Sequence, residues 1–182
     1  MSTSCPSKLK ADQFRAYDIF AWHLEQTLGG MDPPPLRLII YGEGGTGKSK
    51  VIQTISEIFV QKGAKYMLVK SPYTGVAVSL IDGKTMHTLA SLSTNSDGTL
   101  SDDSKAKLQQ IWRHRQYLII DEYSMIVKFF LALLSRNIGI GKEGSDSQRP
   151  GHSFGRVNVI LCGDLHRFPP VAQPIPPNKF DH

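Results

Sequence analysis

The stretch "LRLIIYGEGGTGKS", Leu36 to Ser49, decides the fold of this chain. Its first six residues form a short apolar run with two isoleucines, which is typical of a buried β-strand. A turn with four glycines follows, and the residues from Lys50 to Gln61 have the pattern of a helix. A strand that passes through a glycine-rich turn into a helix indicates an α/β architecture.

The glycine-rich turn fits the pattern G-x-x-x-x-G-K-[ST]. Glycines let backbone N–H groups curl around an anion, and the following helix directs its positive end to the same place. Lys48 can reach the β- and γ-phosphates of a nucleoside triphosphate, and the Ser49 hydroxyl can ligate Mg²⁺. The alternative is a flexible turn without a ligand. The predicted phosphate-binding residues are Gly42, Glu43, Gly44, Gly45, Thr46, Gly47, Lys48 and Ser49.

A pair of carboxylates follows a second apolar run, "YLII", in "YLIIDEYSM". Asp121 ends this predicted strand, so we expect its side chain at the carboxyl edge of the sheet, where open α/β sheets bind ligands. Asp121 is predicted to hold Mg²⁺ directly or through water, and Glu122 to polarise the attacking water. The alternative is that both carboxylates cap the next helix.

The remaining pattern alternates strands with helices, which predicts a parallel sheet covered by helices on both faces. Ser104 is predicted to cap the helix that follows it. The predicted helices span residues 12–28, 50–61, 75–81, 105–115 and 124–137, and the predicted strands span 36–41, 65–70, 117–121 and 156–164. Residues 93–104 and 139–155 are predicted loops.

The composition fits one globular domain, since 40% of the 182 residues are hydrophobic and 20% are charged. A net charge of +5 permits contact with nucleic acid without establishing it. Two cysteines make no disulfide framework, and the N-terminus lacks the apolar core of a signal peptide. We therefore expect a nuclear or cytoplasmic protein that is not secreted and has no membrane segment.

Five ordered motifs resemble those of the superfamily 1B, 5′-to-3′ DNA helicases, and in particular the petite-integration-frequency (Pif) and Helitron-transposon helicases. They are "LKADQFRAY", "SPYTGVAV", "GKTMHTLASL", "LIIDEYSMI" and "GDLHRFPPV", and they extend from Leu9 to Val171. The resemblance implies a RecA-like P-loop NTPase domain, the first motor domain, over residues 12–171. Residues 1–11 would be a lead-in and residues 172–182 a proline-rich tail.

The resemblance also implies ligands, namely ATP, Mg²⁺ and single-stranded DNA. By this match Gln13 would hydrogen-bond the adenine edge, although a glutamine at a helix start can also be simply solvated. Tyr73 is a departure, since it stands between the proline and the threonine of its motif. His87 has a structural interpretation as well. The implied DNA-binding residues are Ser71, Thr74, Gly75, Thr85, His87 and Thr88.

The last motif places Asp164 near the γ-phosphate and its water, unless this carboxylate only caps a turn. Arg167 occupies the position of the family's glutamine. An arginine is a permanent cation with a planar donor fork. Arg167 therefore either approaches the γ-phosphate, or turns away and leaves this motif unable to sense whether ATP is bound. With Lys48 and Glu122, these two residues complete the predicted catalytic set.

The implied function is that of the motor domain of an ATP-dependent 5′-to-3′ DNA helicase of the repair, recombination and telomere-maintenance class. We expect a fragment that cannot unwind DNA alone, because no second motor domain with its arginine finger follows Val171. The alternatives are a degenerate remnant that binds DNA or a partner without productive turnover, and a P-loop ATPase unrelated to nucleic acid.

Overall fold

The computed structural model describes residues 9–72, 100–126, 128–143 and 152–164. Its strands are β1 (Arg37–Tyr41), β2 (Leu68–Pro72), β3 (Tyr117–Asp121) and β4 (Asn158–Gly163), and its helices are α1 (Ala11–Leu28), α2 (Lys48–Gln61), α3 (Asp102–Trp112) and α4 (Lys128–Lys142). The strands form one parallel sheet in the order β1-β4-β3-β2. The predicted α/β fold is confirmed.

The sheet order places β4 between the strand of the glycine-rich turn and the strand of the carboxylate pair. Tyr41 of β1 pairs with Gly163 of β4, and Ile120 of β3 pairs with Leu161 of β4. Because all strands are parallel, their carboxyl ends lie in one row at the same edge. Three segments far apart in sequence therefore meet at this edge.

One face of the sheet packs against α1 and α2. Three aromatic rings meet at its centre, with ring centroids 5.4 Å apart between Phe20 and Phe59 and 5.1 Å apart between Phe59 and Tyr117. Leu24 and Ile55 are also fully buried here. Each such apolar side chain contributes about 1.5–3 kcal/mol when fully buried, so this core fixes both helices to the sheet.

The other face packs against α3 and α4. Leu118 and Ile120 of β3 meet Trp112 of α3 and Leu134 and Ile138 of α4, all of them buried. Side chains alternate along β3 between the two faces, yet Tyr117 to Ile120 are all buried. This confirms a strand covered on both sides, which explains its uninterrupted apolar sequence.

The start of α3 differs from the prediction. The helix begins at Asp102, and its cap is Ser101, whose Oγ accepts a hydrogen bond from the Ser104 backbone N–H at 3.3 Å. The predicted cap, Ser104, is buried inside the first turn. Asp102 and Asp103 are also in that turn, where the helix dipole favours negative charge, so the helix extends into the predicted polar loop.

The helix after β3 is also displaced from its predicted range. Residues Tyr123–Met125 form a 3-10 turn, and α4 then continues to Lys142, into the predicted loop. Gly141 lies in this extension, where a Cβ would be 2.7 Å from Trp112 Cδ1 and 3.0 Å from the Leu108 carbonyl oxygen. Glycine is required at this position for helix packing and does not mark a loop.

The second strand starts later than predicted, because Lys65–Met67 form a 3-10 turn and β2 begins at Leu68. At the other side of the sheet, β1 is an edge strand of the described part of the chain. Its residues Ile39 and Tyr41 are 53% and 71% exposed. Among the helices described, none is both long and apolar enough to cross a lipid bilayer.

Candidate active site

The glycine-rich turn between β1 and α2 is folded onto itself. Thr46 Oγ1 donates a hydrogen bond to the Glu43 carbonyl at 2.8 Å. A Cβ on Gly42 would lie 2.8 Å from that hydroxyl, so the close approach requires glycine. Gly45 and Gly47 have φ values of 80° and 89°, which other residues rarely adopt. The N-terminal end of α2 therefore opens onto a small backbone loop, the arrangement that binds phosphate.

Lys48 is the first residue of α2, and its side chain folds over the loop. Its Nζ donates to the carbonyl oxygens of Gly42 and Glu43, the second at 2.9 Å. These bonds hold the ammonium at the mouth of the loop. A phosphate bound in the loop would compete with both carbonyls for the same donors.

The carboxylate pair stands at the end of β3. Asp121 Oδ1 accepts a hydrogen bond from the Glu122 backbone N–H at 2.9 Å. Glu122 has φ 57° and ψ 35°, the left-handed conformation that is uncommon for a residue with a side chain. Such a backbone costs about 1–3 kcal/mol and clusters at functional sites. The strained backbone therefore lies at the carboxylate pair itself.

Cys162 on β4 is within electrostatic reach of both Lys48 and Asp121. The pKa of its thiol is raised to about 12, mainly by burial and also by the Asp121 carboxylate, while the Lys48 ammonium acts to lower it. Both charges therefore act on the same buried sulfur. The predicted phosphate and metal residues, from α2 and β3, converge around the end of β4.

Gly163 lets the turn after β3 pack directly on β4. A Cβ at this position would lie 2.9 Å from Tyr123 Cδ1 and 3.3 Å from the Ser124 backbone nitrogen. Ser124 Oγ is buried and makes no hydrogen bond within the described residues. The next residue, Asp164, is only 6% exposed and lies at the same edge of the sheet. The contact between Gly163 and Tyr123 was not visible in the sequence, where Gly163 was only part of a motif.

The oxygen donors at this edge fit Mg²⁺. Ser49 follows Lys48 in α2, and Asp121 ends β3, so the two sides of the site offer a hydroxyl and a carboxylate. In the described ranges, no group of three or more His, Cys, Asp or Glu side chains could hold a metal. Mg²⁺ is usually bound through one or two protein oxygens together with phosphates and water, and Ser49 and Asp121 are two such oxygen donors.

Gln13 lies against the phosphate loop. Its Nε2 donates to the Thr46 carbonyl at 2.8 Å, and its Oε1 accepts from the Lys10 backbone N–H at 2.9 Å. A Cβ on Gly47 would lie 2.5 Å from Gln13 Nε2. The start of α1 is thus fixed to the loop, and adenine recognition by Gln13 stays a prediction.

The predicted DNA-binding residues follow β2. Ser71 is in this strand and pairs with Ile120 in the sheet, and the next pair joins Pro72 to Asp121. The first two residues of this motif, Ser71 and Pro72, therefore lie at the carboxyl edge beside the carboxylate pair. Thr74, Gly75, Thr85, His87, Thr88 and Arg167 lie outside the described residues.

The profile of the PIF1-like helicase family matches residues 16–180. The chain belongs to the PIF1-like helicase family. Its curated relatives include the ATP-dependent DNA helicase PIF1 of Candida albicans, which is 31% identical over 154 residues, or 82% of this chain. The ATP-dependent DNA helicase RRM3 of Saccharomyces cerevisiae is 31% identical over 137 residues, or 72% of this chain. The chain spans only 16% and 18% of these two relatives.

Solved structures of PIF1-like helicases agree with the fold. The Pif1 helicase from Candida albicans superposes with a TM-score of 0.57 at 27% identity, over 90% of this chain and 34% of that one. A Bacteroides Pif1 solved bound to ssDNA has a TM-score of 0.56 at 22% identity, over 91% of this chain and 34% of that one. In both comparisons the chain covers 34% of the solved chain, so it corresponds to part of a longer fold.

Proposed function

We propose that this chain is the nucleotide-binding motor domain of an ATP-dependent 5′-to-3′ DNA helicase. The observation that carries the proposal is the convergence of Lys48, Asp121 and Asp164 at one edge of the sheet. Both curated relatives described above are named ATP-dependent DNA helicases. A degenerate remnant is not favoured, because the phosphate loop and the carboxylate pair are intact.

Each residue has a separate task in nucleotide hydrolysis. The backbone of the loop cradles the phosphates, while Lys48 leaves its two carbonyl partners to bind the β- and γ-oxygens. Ser49 and Asp121 would hold Mg²⁺, which when bound would supply positive charge to the phosphates. Glu122 orients and polarises the attacking water, and Asp164 contacts that water or the γ-phosphate.

We place the single-stranded DNA beyond the end of β2. Pro72, the last residue of β2, pairs with Asp121, so the candidate DNA-binding residues that follow it in sequence are directly connected to the hydrolysis site. The segment combines hydroxyls with Lys70, Lys84, Tyr73 and His87, which suit phosphate tracking and base stacking. Since its relatives are named DNA helicases, we further propose that the protein acts in the nucleus, with the cytoplasm as the alternative.

Full activity requires a second motor domain that supplies an arginine finger. Fingers of this kind accelerate hydrolysis by about 10³–10⁵ in other phosphoryl-transfer enzymes. We therefore expect the chain alone to bind ATP, to hydrolyse it slowly and not to separate strands. Arg167 is proposed as a partial substitute cation, and Arg167→Gln should then slow the residual hydrolysis.

Steady-state ATP hydrolysis with and without single-stranded DNA tests the proposal. We expect slow ATP turnover that is stimulated by DNA. Glu122→Gln should abolish this turnover, and Lys107→Met, on the exposed surface of α3, should leave it unchanged. Turnover that responds neither to DNA nor to Glu122→Gln would exclude a DNA-dependent motor. Efficient strand separation by the isolated chain would overturn the requirement for a second domain.

A further inference from the structure

The turn that follows β3 contains a buried hydroxyl without a partner. Ser124 Oγ is shielded from solvent and makes no hydrogen bond in the part of the chain that the structure describes. The buried Ser104, by contrast, accepts a hydrogen bond from Ser101 Oγ at 2.8 Å. A buried hydroxyl that leaves its hydrogen bonds unmade is destabilising, so its presence in a native fold calls for a physical reason.

A second unfavourable feature lies two residues earlier in the same turn. Glu122 has φ 57° and ψ 35°, the left-handed backbone conformation. Strain of this kind persists only where the surroundings impose it, and it clusters at functional sites. The turn therefore combines two destabilising features at the position of the proposed water-polarising carboxylate.

Both ends of this turn are held in place. At its start, Asp121 Oδ1 accepts a hydrogen bond from the Glu122 backbone N–H at 2.9 Å. Further on, the Ile126 N–H donates to the Tyr123 carbonyl at 2.9 Å. Tyr123 and Ile126 also pack against the apolar core that the sheet forms with α3 and α4. The unbonded hydroxyl of Ser124 is therefore a feature of a fixed turn.

The turn packs on the end of β4. A Cβ on Gly163 would lie 3.3 Å from the Ser124 backbone nitrogen and 3.2 Å from Tyr123 Cε1, so the turn rests directly on the Gly163 backbone. Asp164 is the next residue and is only 6% exposed. The carbonyl and carboxylate oxygens of Gly163 and Asp164 therefore stand close to Ser124 as hydrogen-bond acceptors.

We propose that Ser124 is a positioning residue for nucleotide hydrolysis. When Asp164 turns to a bound γ-phosphate or its water, the Gly163–Asp164 segment shifts, and the Ser124 hydroxyl donates a hydrogen bond to an oxygen of this segment. That bond connects Asp164 to the turn that carries Glu122. The residue that contacts the phosphate thereby fixes the residue that polarises the water. The inference rests on the proposed function, since it assigns a task within the same site.

A hydrogen bond that forms only in the nucleotide-bound chain has a distinctive effect on stability and rate. It adds nothing to the stability of the nucleotide-free fold, because the hydroxyl has no partner there to lose. It raises kcat, because interactions that are stronger in the transition state than in the ground state lower the barrier. A serine with a purely structural role shows the opposite pattern, namely a loss of stability with little change in kcat.

Ser124→Ala separates these two patterns. The variant should melt at the wild-type temperature or above it, since no buried hydroxyl is left unbonded. Its kcat for ATP hydrolysis should fall about tenfold, the effect of losing one hydrogen bond. Its KM for ATP should not change, because Ser124 lies in the turn after β3 and not in the phosphate loop. Thermal unfolding and steady-state hydrolysis measure the three quantities.

Thr27→Val is the matched control, because it removes a hydroxyl at the opposite edge of the sheet without changing the size of the side chain. Thr27 Oγ1 donates to the His23 carbonyl at 2.9 Å and lies 2.9 Å from the hydroxyl of Tyr117, the first residue of β3. Both contacts exist in the nucleotide-free chain. This variant should therefore melt at a lower temperature and keep the wild-type kcat.

Amide hydrogen exchange gives a readout that does not depend on turnover. With Mg²⁺ and a non-hydrolysable ATP analogue, residues 122–126 of the wild type should exchange more slowly than without the analogue. Ser124→Ala should bind the analogue like the wild type and should lose most of this protection.

Two results would overturn the inference. One is a Ser124→Ala chain that hydrolyses ATP at the wild-type rate. The other is a melting temperature of Ser124→Ala that falls as far as that of Thr27→Val, because the hydroxyl would then already be bonded without nucleotide. Either result leaves the proposed function standing if the wild type binds ATP, whereas a wild type that binds no ATP refutes both.

Discussion

Replacing Gly163 by alanine should destabilise the turn that carries Glu122. The new methyl group would lie 2.9 Å from Tyr123 Cδ1 and 3.3 Å from the Ser124 nitrogen. Carbon atoms pack at about 3.5–4.0 Å, so the Tyr123 ring must retreat by roughly 0.6–1 Å. Overpacking of this kind costs about 1–3 kcal/mol. At about 2 kcal/mol, the melting temperature of a domain of this size falls by about 4–8 °C.

The same displacement should impair hydrolysis, because Tyr123 is covalently attached to Glu122. A misplacement of about 1 Å at a catalytic group can cost on the order of 10²-fold in rate. Thermal unfolding followed by circular dichroism and ATP hydrolysis are the two assays. Gly139→Ala is the matched control, since a Cβ there meets nothing within 4 Å and alanine favours the interior of α4. A Gly163→Ala chain that melts within about 1 °C of the wild type would refute the packing argument.

Three further perturbations test separate parts of the structure. Tyr117→Phe removes the hydroxyl that lies 2.9 Å from both His23 Nδ1 and Thr27 Oγ1. This change should lower the free energy of unfolding, measured in urea, by about 1–3 kcal/mol. An unchanged free energy of unfolding would mean that the buried histidine finds another partner. Ser101→Ala should cost about 1 kcal/mol in the same assay if Ser101 caps α3, and an unchanged midpoint would contradict that assignment. Burial raises the pKa of Cys162 to about 12, so its thiol should be unreactive in the folded protein. In a Cys5→Ser chain, iodoacetamide at about pH 8 should alkylate Cys162 only after urea unfolds the protein. Rapid labelling of the folded chain would show an exposed thiolate.

The phosphate loop and the carboxylate pair could be predicted because their chemistry is local. Gly47 and Lys48 are adjacent in sequence, and an apolar run before Asp121 is enough to place that carboxylate at a strand end. The same holds for the parallel sheet, since consecutive strands were separated by helical patterns. These predictions depend on interactions within about 20 residues, which a single sequence displays.

Features that arise from packing between distant segments were not predictable. In the sequence, Gly141 suggests a loop, and only the structure shows that it packs against Trp112. Likewise, Gly163 is part of a motif in the sequence, and only the structure shows that it packs against Tyr123. Ser104 was preferred as a cap because a serine before a helical pattern is a common signal, but Ser101 serves instead.

Equilibrium binding of ATP with Mg²⁺ to the chain tests the central claim most directly. The account predicts one nucleotide per chain, weakened at least about tenfold by Lys48→Ala through the loss of charge-assisted bonds to the phosphates. Asp121→Asn should remove the dependence on Mg²⁺ while binding without the metal is retained. The matched variant Lys65→Met, away from the phosphate loop, should bind like the wild type. Equal affinity in the wild-type and Lys48→Ala chains would contradict the assignment of a nucleotide site to this edge of the sheet.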